Sequence, residues 1–208
     1  MMPVRPSKIV CVGRNYLAHA KELGNEVPAV PLLFLKPPSA LIGQGEAIVM
    51  PATSRQVEYE AEIGVVVGAR LRDAGEAEAE RGIGGYVCLN DVTCRDLQKT
   101  DGQWGRAKGY DTFCPVGPAV ATGLDWRALE VIGRVNGQER QRASSAEMHF
   151  DIPFLVSFIS GIMTLEPGDL IATGTPAGVG PLHDGDVVEV EIPGVGVLSN
   201  PVRGGTSR

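Results

Sequence analysis

A strand-rich α+β fold is what this sequence predicts, and three observations carry that expectation. Short apolar segments bounded by Gly, Pro or Asn recur along the chain, which is how strands read. Val and Glu alternate with period two over residues 184–202, and only three stretches carry helical signals. In order, strands are expected at 8–13, 32–35, 60–67 and 85–89, with a short helix at 16–23 and an exposed Ala/Glu-rich helix at 73–81. Asn136-Gly137 marks a hairpin turn. The clearest helix spans 151–163: Asp151 can cap it, Pro153 suits its first turn, and Ile152, Leu155, Val156, Ile159 and Met163 form an apolar stripe. Residues 184–202 read as a hairpin turning at Pro193-Gly194, with Glu189 and Glu191 on its solvated face. The 27 glycines and 15 prolines imply many tight turns without a repeat period, and no composition shift divides the chain, so residues 1–208 are expected to form a single domain.

Composition narrows the function classes. With 43% hydrophobic and 21% charged residues, the chain suits a compact globular protein with a sizeable core. A net charge of -6 and no Lys/Arg cluster argue against nucleic acid or anionic lipid as partner. Cys11, Cys88, Cys94 and Cys114 lack any paired spacing and read as buried small apolar residues. No apolar run approaches a membrane span and no secretory leader is evident, so a cytoplasmic location is expected.

The stretch VEYEAEIGVVV, residues 57–67, puts Glu58, Glu60 and Glu62 on one face of an extended chain. Clustered carboxylates resist desolvation unless a cation or a shared proton neutralises them, so the row suggests a metal site on a rigid sheet. The solvated face of an edge strand explains the same spacing. Residues 88–98 present Asp91, Arg95 and Gln98, the last two spaced to share one face of a helical turn, and residues 105–118 place Lys108 near Tyr110 and Asp111. The Gly/Pro-dense loop 173–182 could offer backbone N–H groups to an anion. His19 and Glu22, three apart, form either a general-base pair or a surface hydrogen bond, and Arg14 either a substrate clamp or a surface charge.

The ordered blocks GRNYLAHAKE, LFLKP, EYEAEIG, CLNDVTCRDLQ, RAKGYDTFCPVGP, NGQERQ, IPFLVSFIS and LEPGDLIATGTPAGVG together resemble the fumarylacetoacetate hydrolase family. Within it they are most similar to the compact acylpyruvase/oxaloacetate decarboxylase branch, over residues of about 8–202. The resemblance implies a mixed β-sheet roll, usually dimeric, around Mg²⁺ or Mn²⁺ held by Glu60, Glu62 and Asp91, with Glu58 a neighbour. It also implies an acid/base dyad in His19 and Glu22, preceded by the Arg14, Asn15, Tyr16 run, with Lys108 completing the catalytic group. Arg14, Tyr16, Arg95, Gln98 and Thr175 are the substrate-binding positions it implies.

The implied activity is hydrolysis or decarboxylation of a small 2-oxo acid through a metal-stabilised enolate. An isomerase or decarboxylase of the 2-hydroxyhepta-2,4-diene-1,7-dioate type, in aromatic-acid breakdown, is the alternative. The extra N-terminal domain of the two-domain hydrolases is expected to be lacking, which argues against fumarylacetoacetate itself as substrate. Three carboxylates make a hard, all-oxygen site, which fits Mg²⁺ or Mn²⁺ better than zinc or copper.

Overall fold

The structure, a computed structural model, describes residues 5–205 apart from 23, 25 and 27. Residue 23, the expected end of the first helix, therefore lies outside the described residues; the helix runs Leu17–Glu22. Seven strands build the larger sheet in the spatial order Leu32–Lys36, Ile9–Gly13, Leu170–Ala172, Ala61–Val67, Ile83–Asn90, Cys114–Ala121, Leu41–Ile42. Ile9–Gly13 runs parallel to Leu170–Ala172, and Leu41–Ile42 parallel to Cys114–Ala121. The other neighbours are antiparallel. Gln138–Ser144, Glu130–Val135, Val187–Ile192, Gly196–Gly204 and Ile48–Met50 form a second sheet, and Gly180–Pro181, Val57–Tyr59 and Thr93–Cys94 a small third.

The main core lies where the two larger sheets face each other. Ile63, Val65 and Cys88 meet Val131, Val190 and Leu198, and the helix Ile152–Ile162 closes one side through Leu155 and Ile159. Each large aliphatic side chain so buried contributes about 1.5–3 kcal/mol. The opposite face of the seven-stranded sheet is covered as well, around Val87, Leu89, Val116 and Leu170. That double burial explains the unbroken apolar run along Ala61–Val67, every residue of which is buried.

Local signals behave as their chemistry requires. Asp151 caps its helix by accepting from the Phe154 N–H at 2.9 Å, and Met163 stands just past the last turn, half-buried. Asn136 and Gly137 both adopt positive φ, 52° and 74°, the backbone that a two-residue hairpin turn demands. Val188, Val190 and Ile192 point into the core while Glu189 and Glu191 stay half-buried on the other face. The Ala/Glu-rich helix is shorter than expected, Glu76–Arg81, and Arg95–Thr100 and Gly105–Lys108 are too brief to show a helical period.

One expectation is corrected in a way that matters for the site. Residues 57–67 do not form one strand, because the chain leaves one sheet and enters another at Glu60. Side chains take over the broken ladder there: the Glu60 N–H donates to Asn90 Oδ1 at 3.0 Å, and the Ala61 N–H to Gln141 Oε1 at 2.9 Å. Val57–Tyr59 and Ala61–Val67 each have a strand on both sides and Glu58, Glu60 and Glu62 are all buried, so the solvated-edge reading of the three glutamates fails.

Candidate active site

Strand register brings the distant acid to the pair. Ala61 faces Asn90 and Glu62 faces Leu89 in the antiparallel ladder, which makes Glu60 and Asp91 the next partners where both strands end. The Asp91 N–H donates to the Glu60 carbonyl at 2.9 Å, locking that pairing. One carboxylate oxygen from each of Glu60, Glu62 and Asp91 lies within 4.8 Å of the others, and all three residues are buried.

Buried cations answer most of this charge. Lys108 Nζ donates to Glu60 at 2.7 Å and to Asp91 at 2.6 Å, and Lys36 Nζ donates to Asp91 at 2.5 Å and to the Val92 carbonyl at 3.1 Å. Arg95 spends its fork on Glu58 through Nε at 2.7 Å, Glu60 through Nη2 at 2.6 Å and Gln98 through Nη1 at 2.6 Å. Burial opposes the Lys108 charge, but the Asp91 and Glu60 carboxylates outweigh it and raise its pKa, which favours the charged ammonium. Burial likewise opposes the Glu60 charge, yet Lys108 and Arg95 outweigh it and hold that carboxyl well below the usual range.

Glu62 is the acid left over. Its hydrogen bond among the described residues comes from the Gly174 N–H at 2.8 Å, and no ammonium or guanidinium pairs with it. Burial, then the Asp91 and Glu60 charges, push its carboxyl well above the ordinary range. Glu58, Glu60, Glu62 and Asp91 thus face Lys36, Arg95 and Lys108, four acids against three cations. A dication among the three converging oxygens would supply the missing charge, and the all-oxygen donors suit Mg²⁺ or Mn²⁺, so the residues fit such an ion.

A cavity of about 440 Å³ opens over the triad. Of the residues singled out from sequence, Arg14, His19, Glu22, Arg95, Gln98, Lys108 and Thr175 line it together with Glu60, Glu62 and Asp91. His19 is buried, and its Nδ1 lies 3.3 Å from Glu22 Oε2, so the pair is not a loose surface contact. Glu22 is itself held, since both its oxygens accept from the Gly178 N–H at 3.1 and 3.2 Å. Gly178 has φ +100°, and a Cβ there would sit 2.0 Å from the Arg140 carbonyl oxygen, so this close approach of the loop requires glycine.

Three of the expected substrate-binding residues are held by the protein itself. Tyr16 does not line the cavity; it packs in the main core with Met148 and Ile152, its hydroxyl unpartnered among the described residues. The Thr175 hydroxyl is committed to the protein, donating to the Ala61 carbonyl at 2.9 Å and accepting from Gln141 Nε2 at 2.8 Å. Arg95 has all three nitrogens engaged, which leaves Gln98 as the side chain that extends its reach into the cavity.

Sequence reasoning passed over Lys36, Asn90 and Gln141. The signal for Lys36 was a lysine ending an apolar strand directly before Pro37-Pro38, a position that a solvated lysine has no reason to occupy. The cavity's apolar wall, Phe34 against Trp104 at 5.2 Å with Lys108 Nζ 5.0 Å from the Phe34 ring centre, joins the expected strand at 32–35 to a tryptophan that sequence reasoning did not single out.

The family model for the fumarylacetoacetate (FAA) hydrolase C-terminal domain matches residues 8–203. The chain belongs to the fumarylacetoacetate hydrolase family. Two relatives within the family are mitochondrial proteins. An oxaloacetate decarboxylase of Dictyostelium discoideum is 44% identical over 90% of this chain and 89% of its own length. An oxaloacetate tautomerase of Arabidopsis thaliana is 45% identical over 91% and 87%. Among solved structures, a 2-hydroxyhepta-2,4-diene-1,7-dioate isomerase from Mycobacterium marinum superposes with TM-score 0.92 at 47% identity, covering 99% of this chain and 78% of that one. A fumarylpyruvate hydrolase from Pseudomonas aeruginosa, in complex with Mn²⁺ and pyruvate, superposes with TM-score 0.90 at 32% identity over 98% and 91%. The strand-rich α+β fold is that of the family, and its members are enzymes.

Proposed function

We propose that the protein is a divalent-metal-dependent enzyme that hydrolyses the C–C bond of an acylpyruvate or decarboxylates oxaloacetate. The observation that carries this reading is the meeting of Glu60, Glu62 and Asp91 with the His19–Glu22 pair on one cavity. Glu60, Glu62 and Asp91 would hold Mg²⁺ or Mn²⁺, which would supply Lewis acidity toward a 2-oxo acid. Lys108 and Arg95 keep the anionic substrate from being repelled by the buried acids. For hydrolysis, His19 takes a proton from water for attack on the distal carbonyl, and Glu22 stabilises the imidazolium that results. Decarboxylation needs no attacking water, so His19 contributes less there.

The Mycobacterium marinum neighbour favours a second reading, an isomerase or decarboxylase of the 2-hydroxyhepta-2,4-diene-1,7-dioate type, in which His19 relays a proton between carbons. On either reading the working enzyme is a homodimer in the cytoplasm, which sedimentation and fractionation test. A panel of 2-oxo acids assayed in Mg²⁺ and in chelator decides the chemistry. Turnover of oxaloacetate or an acylpyruvate that stops in chelator and returns with Mg²⁺ or Mn²⁺ is expected, and turnover unaffected by chelator would overturn the proposal.

A further inference from the structure

Glu58 is a buried acid that the three converging carboxylates leave out. It stands on the strand Val57–Tyr59, only 6% exposed, yet it neither joins the triad of Glu60, Glu62 and Asp91 nor lines the cavity. Its two oxygens are engaged separately: Oε1 accepts from Gln56 Nε2 at 2.6 Å and Oε2 from Arg95 Nε at 2.7 Å. The small sheet pairs Glu58 with Thr93 and Val57 with Cys94, and the Arg95 N–H donates to the Gln56 carbonyl at 2.7 Å. The backbone therefore already holds Arg95 beside Glu58.

The guanidinium links Glu58 to the site. Arg95 Nη2 donates to Glu60 at 2.6 Å and Nη1 to Gln98 at 2.6 Å, so one cation stands between an outer carboxylate and a carboxylate of the triad. Hydrogen-bond geometry does not by itself call for an acid at position 58. A glutamine there would accept from Arg95 through Oε1 and, once the Gln56 amide turns over, donate to Gln56 through Nε2. What glutamate adds is a charge, which is costly to keep out of water.

That charge decides the balance of the site. With Glu58 the empty inner group holds four acids against three cations, one negative charge in excess; without it the group is neutral. A dication turns these into an excess of one positive charge and of two. We propose that Glu58 is a positioning residue that sets this charge: acting through Arg95, it strengthens the hold on the metal and restrains the hold on the anion. The proposal rests on the metal-dependent 2-oxo-acid reading above. Metal and anion carry opposite charge, so one added negative charge moves their affinities in opposite directions. A residue that only kept Arg95 in place would, on removal, weaken both.

Calorimetric titration of the full chain with Mn²⁺, and then with pyruvate in saturating Mn²⁺, reads the two affinities separately. Glu58→Gln should weaken Mn²⁺ binding by about 10-fold, the usual cost of altering a partner of a metal ligand, and tighten pyruvate binding by about 3-fold or more. Glu58→Asp keeps the charge on a shorter arm and should hold both affinities within about 3-fold of wild type. Weaker binding of both probes to Glu58→Gln, or an unchanged affinity for either, overturns the role of Glu58 while the metal-dependent reading stands. Should Glu58→Gln fail to fold, Glu58→Asp decides alone, and a loss of about 10-fold in its Mn²⁺ affinity overturns the proposal. If wild type binds no Mn²⁺, or no pyruvate in Mn²⁺, that reading falls and takes this one with it.

Discussion

Glu60-Ala61-Glu62, at the break between two strands, and Glu189-Val190-Glu191, within one strand, share a Glu-x-Glu spacing, and their fates differ entirely. The first sits where one sheet hands the chain to another, with both glutamates buried among four acids and three cations. The second lies on the outward face of a hairpin, half-buried, where Glu191 accepts from Arg134 Nη1 at 2.5 Å and nothing further converges. Spacing is the same in both, so spacing does not make a site. What differs is the other face and the partner strand: both faces of the first row's strand are buried, Ile63 and Val65 in one core and Val66 in another, while the register delivers Asp91 beside Glu60.

Substitution should break this contrast along the same line. Glu60→Gln keeps the shape but removes a ligand charge and the partner of both Lys108 and Arg95. Turnover of oxaloacetate in Mg²⁺ should then fall by at least about 10²-fold, exceeding the cost of losing an outer partner of a metal ligand. Glu191→Gln, assayed beside it, should leave turnover unchanged and shift stability by no more than about 0.5 kcal/mol, as for an exposed ion pair. A comparable loss in both variants would show that the rows are not distinguished by burial.

A second substitution asks whether the buried row acts alone. His19→Ala should lower hydrolysis of an acylpyruvate by about 10²-fold or more, the usual worth of a positioned base, and lower oxaloacetate decarboxylation less. Equal losses in the two reactions would take His19 out of the proton-transfer role.

The smallest expected effect concerns pH. Because the folded-state pKa of Glu62 is raised by burial and by Asp91 and Glu60, its charged form is disfavoured in the fold. The stability tied to its protonated form is complete below the ordinary glutamate range and is lost as pH rises through the raised value. In chelator, Glu62→Gln should therefore gain on wild type as pH increases across that window, a gap that chemical denaturation series would measure. For Glu191→Gln no such gap should open.

Much of this was legible in the sequence, for identifiable reasons. The capped helix at Asp151, the Asn136-Gly137 turn and the apolar strand after Glu60 follow from local chemistry that tertiary context did not need to overrule. The converging acids were legible as ordered motifs, and the break at Glu60 was not, because it depends on Asn90 and Gln141 reaching across from other strands. Lys36 escaped for a similar reason: its partner Asp91 is 55 residues away and is found only through the sheet. Adjacency to Arg14 says nothing about direction: the Tyr16 side chain packs in the core while Arg14 lines the cavity.

The central claim is that the buried row is short of one cation and the outer row is not. Thermal unfolding of wild type, Glu62→Gln and Glu191→Gln, each in chelator and in millimolar Mg²⁺, tests it most directly. Mg²⁺ at about 100 times its Kd should stabilise wild type and Glu191→Gln by about 2.7 kcal/mol, while Glu62→Gln loses most of that gain. No rise in wild-type Tm with Mg²⁺ or Mn²⁺, or an equal rise in all three proteins, would contradict the account.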